Sequence, residues 1–172
     1  MTGATTVSRT ATGIHLDRSF TATPRTVFRA LSEREHLMRW WGPPNCRVVE
    51  CSVDFRVGGV WHYRLLSPDG TEHWSRAVYR DIVPDERIVY VETGSDAAGD
   101  VVHDRPASVA TISLSPTEHG TRMDVQLVFV SALDRDRAVA NGVEAGFGAA
   151  LDQLQPLLTE LASDRREPHD VH

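Results

Sequence analysis

The residues with the widest chemical reach lie between Trp40 and Tyr90. Trp61, Tyr63 and Trp74 are large aromatics that carry polar tips, and Arg76 follows Trp74 at the spacing that puts two strand residues on one face. An arginine directed inward needs a carboxylate, a phosphate or a polar ligand beside it, and Glu92 and Asp81 are both candidates. Trp41, Val78, Tyr90 and Phe147 complete the set expected to contact a ligand. Aromatics bury large areas with or without a ligand, so core packing alone accounts for the same residues. An exposed edge position likewise accounts for Arg76.

Proton transfer or metal binding would need other groups. His62 and His73 fall on neighbouring strand-like runs, where a general base or metal ligand is conceivable. The expected register turns both away from the aromatics, as solvated surface histidines. Cys46 and Cys51 are the only cysteines, and five positions apart on one strand they face opposite sides and cannot bridge. There is no Cys-x-x-Cys and no closely spaced histidine pair, so no metal site is expected. No Gly-x-Ser-x-Gly elbow and no phosphate loop appear; Gly58-Gly59 joins two strands and precedes no helix. No catalytic residue and no cofactor are indicated.

Composition bounds the rest. The 172 residues are 41% hydrophobic and 24% charged, with net charge -6, as expected of one ordinary soluble domain. A chain of this length buries roughly 70% of its unfolded surface, enough for a core and a cavity together. The acidic balance argues against nucleic-acid or membrane partners, which need clustered Lys and Arg. No apolar run is long enough to span a bilayer and no signal peptide is readable, so a cytoplasmic location is expected.

The elements that position these residues follow from periodicity and turn chemistry. Residues 1–12 are small and polar and are expected to form a mobile arm, ahead of a single domain over 13–162 and a frayed tail over 163–172. Ile14, Leu16 and Phe20 alternate as a half-buried strand, with Arg18 the exception. Thr23-Pro24 opens a helix, and Ser32 with Glu35 predicts a capping box for a second short helix that ends at Gly42-Pro43. Strands are expected over 46–55, 60–66, 72–83, 88–92, 109–114 and 121–130, with a mobile loop over 94–106. One long helix is expected over 134–162, its stripe running from Val139 to Leu161 and Pro156 kinking it. Pairing Leu66 with Thr71 across the Pro68-Asp69-Gly70 turn sets Tyr63 opposite Trp74 and Trp61 opposite Arg76, all four toward one side. The fold class is α+β: a seven-stranded curved antiparallel sheet around a long C-terminal helix, with two short helices after the first strand. Such a sheet leaves a cavity beneath the helix.

Several blocks, in order, carry a family resemblance. They are Arg18-Ser19-Phe20, Pro24, Val27 to Ala30, His36-Leu37, Trp40-Trp41-Gly42-Pro43, Asp54-Phe55-Arg56, Gly58 to Trp61, Pro68-Asp69-Gly70, Tyr79 to Ile82, Pro84 to Arg87 and Gly120-Thr121. Over about residues 14–160 the chain resembles the SRPBCC superfamily, in the branch of activator of heat shock protein 90 ATPase homologues. The resemblance implies the helix-grip fold of START domains and the birch-pollen allergen, with a central cavity. Ala77 stands where that branch usually has glycine, and Gly146-Phe147 where it usually has Gly-Trp.

Three functions are compatible with this resemblance. The first is a stand-alone domain binding a small hydrophobic or aromatic molecule between sheet and C-terminal helix. The second is an enzyme similar to polyketide cyclases and aromatases, which needs an acid or base such as Glu92 or Tyr63 in the cavity. The third is a protein-interaction domain like the co-chaperone's, which needs an exposed apolar patch. A chaperone partner is not expected for a stand-alone domain, and a homodimer is compatible with all three.

Overall fold

The computed structural model describes residues 3–164. The strands are β1 (Thr6–Arg9), β2 (Gly13–Phe20), β3 (Arg47–Val53), β4 (Val60–Leu66), β5 (Glu72–Val83), β6 (Arg87–Ser95), β7 (Val101–Val102), β8 (Ser108–Thr117) and β9 (Gly120–Val128). They form one antiparallel sheet in the order β1-β2-β9-β8-β6-β5-β4-β3, with β7 paired to β6. The helices are α1 (Pro24–Ser32), α2 (Arg34–Trp40), α3 (Ala132–Ala140) and α4 (Val143–Asp164). The seven expected strands and the long C-terminal helix are present, and the arrangement is a helix grip.

Alternation along the central strands builds the inner face. Ile14, Leu16 and Phe20 of β2 and Met123, Val125 and Leu127 of β9 are buried. Leu151, Leu154 and Leu158 of α4 are buried on the facing stripe. Arg18 belongs to that inner face after all: it is only 7% exposed and pairs with Asp152 of α4. Burying a guanidinium is tolerable here because a carboxylate meets it. The helices α1 and α2 also pack on α4, and the Trp40 indole N–H donates to Ala30 O at 2.8 Å, locking the two short helices together.

Several expectations are corrected at the element ends. Thr6–Arg9, expected within a mobile arm, is an edge strand paired with β2. Ser32 does not cap α2; its hydroxyl donates back to Phe28 O at 2.8 Å and so finishes α1, leaving Glu33 as the α2 N-cap without a side-chain bond. Within 94–106, Val101–Val102 folds back on Gly94 and Ser95 as a short hairpin. The single helix expected over 134–162 is two helices. Gly142 at φ +87° breaks it, because a left-handed residue cannot continue a right-handed helix. Ser131 caps α3 by accepting from Asp134 N at 3.1 Å, and α4 then runs through Pro156 to Asp164. Of the expected tail, Ser163 and Asp164 belong to α4 and the rest lies outside the described residues.

Candidate functional site

A cavity of about 350 Å³ opens between the inner face of the sheet and the first half of α4. The sequence makes room for it with small side chains. Gly146 and Ala150 stand on the α4 face that lines the cavity, at positions where larger residues would fill it. On the sheet side β5 presents Ser75 and then Ala77, both buried. Trp41 and Pro43, just past the end of α2, form one wall, and Leu127 and Phe129 form another. Gly42 at φ +90° turns the chain there, and Gln153 Nε2 donates to Gly42 O at 2.8 Å, tying this wall to α4.

The walls are aromatic at one end. The Trp41 ring meets Trp61, Phe147 and Tyr63 edge-on, with centroids 4.7, 5.5 and 6.2 Å apart, the arrangement that ring quadrupoles favour. Tyr63 joins this wall to a polar group. Tyr63 of β4 donates to Glu92 Oε1 of β6 at 2.9 Å, and Arg105 Nη2 stands 3.8 Å from the same oxygen. Arg105 also donates to Ser75 Oγ and to Thr93 O. Burial raises the Glu92 carboxyl above the usual glutamate range, while Arg105 and the Tyr63 hydrogen bond pull it part of the way back. The Glu92 side chain is 24% exposed and lines the cavity. Burial and the neighbouring Glu92 raise the Tyr63 phenol, which therefore stays protonated and remains a donor.

The expected ligand contacts divide into three groups. Trp41, Tyr63 and Phe147 line the cavity. Trp61 and Tyr90 face inward but stand behind its wall as packed core, 3% and 2% exposed, with rings 5.9 Å apart. Trp74, Arg76 and Val78 lie on the opposite face of the sheet. The observed register pairs Leu66 with Glu72, Arg64 with Trp74, Tyr63 with Ser75 and Trp61 with Ala77. The turn is one residue longer than a Leu66–Thr71 closure assumes. Ser67 N donates to Thr71 O at 2.9 Å, Asp69 Oδ1 accepts from Thr71 N, and Gly70 takes φ +86°. With a side-chain period of two, that single residue moves Trp74 and Arg76 outside. There Trp74 stacks on His62 at 4.8 Å and Arg64 lies over its ring. The same slip brings His73, expected to face away, to the cavity mouth. Asp81 pairs with exposed Arg87 instead of an inner arginine.

Arg105 supplies the inward cation that sequence reasoning placed at Arg76. It lies in the 94–106 segment, whose polar composition read as mobile. The segment folds tightly over Gly94, where a Cβ would collide with Asp104 Oδ1. On the outer face, His15, Asp17 and Asp124 bring their ligand atoms within 4.8 Å. Arg122 bridges the two aspartates at 3.2 and 3.6 Å, so the cluster is closed as an ion-pair network.

Residues 21–159 match the family model described as Activator of Hsp90 ATPase homolog 1-like protein. Among curated proteins, none matches this chain. Among solved structures, a protein from Arthrobacter aurescens is 26% identical with TM-score 0.82, covering 97% of this chain and 98% of its own. A protein from Nitrosomonas europaea is 23% identical with TM-score 0.79, covering 91% of this chain and 99% of its own. A protein from Silicibacter pomeroyi is 20% identical with TM-score 0.69, covering 88% and 99%.

Proposed function

This chain belongs to the Activator of Hsp90 ATPase homolog 1-like family, and from that premise we propose that it binds a small, largely apolar or aromatic molecule in the cavity beneath α4. The observation that carries this reading is the cavity's construction: aromatic walls that share Tyr63 with the Tyr63–Glu92–Arg105 polar group. Apolar pockets with a few convergent polar groups are the usual form of small-molecule sites. Trp41, Tyr63 and Phe147 supply contact area, and Arg105 and Glu92 take the polar end of the ligand. A cytoplasmic location is part of the proposal; among the described residues no helix is long and apolar enough to cross a membrane.

Native mass spectrometry of gently purified protein, followed by tryptophan fluorescence titration with aromatic compounds, tests the reading. A co-purifying molecule or saturable quenching supports it, provided that Gly146→Leu, which places a side chain in the cavity, abolishes the effect in a folded protein. Equal binding by parent and Gly146→Leu protein contradicts it.

A second reading, a cyclase-like proton-transfer enzyme, is favoured by one observation: Glu92, with its carboxyl raised by burial, and Tyr63 both line the cavity. Turnover of a bound carbonyl compound that is lost in Glu92→Gln while binding persists would support it. A bound compound recovered unchanged by the parent protein counts against it.

A further inference from the structure

The polar end of the cavity is built for a particular kind of head group. Among the described residues, Glu92 and Arg105 are the charged side chains that line it; His73, Cys46 and Tyr63 are the other titratable ones. The two charges are matched but not joined, since 3.8 Å between Arg105 Nη2 and Glu92 Oε1 is beyond hydrogen-bond length. Glu92 Oε1 is taken by Tyr63 and Arg105 Nη2 by Ser75 and Thr93. No hydrogen bond among the described residues reaches Glu92 Oε2 or Arg105 Nη1. Each of these side chains, an acceptor and a donor, therefore keeps a polar atom that no other described residue engages, and both line the same space.

We propose that the cavity selects a neutral head group that donates and accepts at once, a carboxamide or an equivalent donor–acceptor pair, on an aromatic body. The donor of such a group meets the Glu92 carboxylate and its acceptor meets the Arg105 guanidinium. A carboxylate ligand gains Arg105 but faces the Glu92 charge, and an ammonium ligand gains Glu92 but faces Arg105. In a partly desolvated site like-charge contact is costly, so the pair rejects both kinds of ion. An apolar head makes no hydrogen bond to either Glu92 or Arg105 while displacing their solvent, which a site of this kind also penalises.

This inference rests on the binding reading above, and one matched series separates the two. Naphthalene carboxamide, naphthoate, naphthylmethylammonium and methylnaphthalene share one aromatic body and differ in the head. They are titrated against the full chain above neutral pH, followed by tryptophan fluorescence and by competition. The carboxamide is expected to bind at least about tenfold more tightly than the other three. In Glu92→Gln, naphthoate is expected to gain on the carboxamide, because the opposing charge is gone. Trp74→Ala, on the opposite face of the sheet, should keep the order of preference. If naphthoate, the ammonium or methylnaphthalene binds as well as the carboxamide, the inference falls and the binding reading stands. If none of the four binds, both fall.

Discussion

The Tyr63 hydroxyl donates to Glu92 Oε1 across 2.9 Å and so joins β4 to β6 over the strand between them. The contact exists because β5 offers only Ser75 and Ala77 beneath it. Ala77 stands opposite both Trp61 and Glu92, and a larger side chain there would separate them. Two inward residues from non-adjacent strands thus meet on the cavity floor.

That geometry predicts a pH dependence. Glu92 has a folded-state carboxyl raised above the usual glutamate value of 4.5, with burial the main cause. A raised carboxyl binds its proton more tightly folded than unfolded, so ionised Glu92 costs stability at neutral pH. Glu92→Gln should therefore melt at or above the parent temperature at neutral pH. The difference should shrink as pH falls through the raised value and vanish below 4.5, where Glu92 is protonated in both states. Calorimetry across this range checks it; a Glu92→Gln protein less stable at neutral pH would show that the Arg105 pairing outweighs burial.

The outer position of Trp74 makes a second prediction. Trp74→Ala should leave ligand binding unchanged, because Trp74 stacks on His62 across the sheet from the cavity. Trp61→Ala removes packed core and should cost about 3–5 kcal/mol by denaturant unfolding.

Much of this was legible in the residues. Thr23-Pro24, the alternation of β2 and β9 and the Leu151-to-Leu161 stripe specify local structure through short-range physics, and each is observed. Tyr63, Trp41 and Phe147 were legible as cavity residues because their size and neighbours are. The β4–β5 register was not legible, since Pro-Asp-Gly permits turns that differ by one residue, and that difference decides which face Arg76 occupies. Arg105 was hidden for another reason. Its loop is polar, and its order comes from pairing of Val101–Val102 with β6 and from contacts with Ser75 and Thr93, which no local pattern encodes.

Buried Arg18 predicts a specific sensitivity. Asp152 is 70% exposed, yet it is the carboxylate that meets a guanidinium only 7% exposed. Asp152→Ala leaves that charge unpaired beneath α4 and should cost roughly 2 kcal/mol, whereas other exposed α4 positions should stay within about 0.5 kcal/mol. Urea unfolding of Asp152→Ala beside Glu160→Ala checks the contrast.

Two glycines should respond in opposite ways. A Cβ at Gly59 would stand 2.0 Å from the Asp54 carbonyl oxygen, so Gly59→Ala must shift backbone and should cost on the order of 2 kcal/mol or more. Gly148 meets nothing within 4 Å and lies inside α4, so Gly148→Ala should stabilise by about 0.5–1 kcal/mol. Melting temperatures of the two variants give both signs at once.

The cavity as a ligand site is tested most directly by proton–nitrogen NMR of the labelled chain during titration with naphthalene carboxamide. The account predicts saturable shifts of the Trp41 indole N–H and of the Gly146 and Ser108 amides, residues that line the cavity, while the Trp74 indole stays still. Shifts confined to Trp74 and its outer-face neighbours, with the Trp41 and Gly146 signals unmoved, would contradict it.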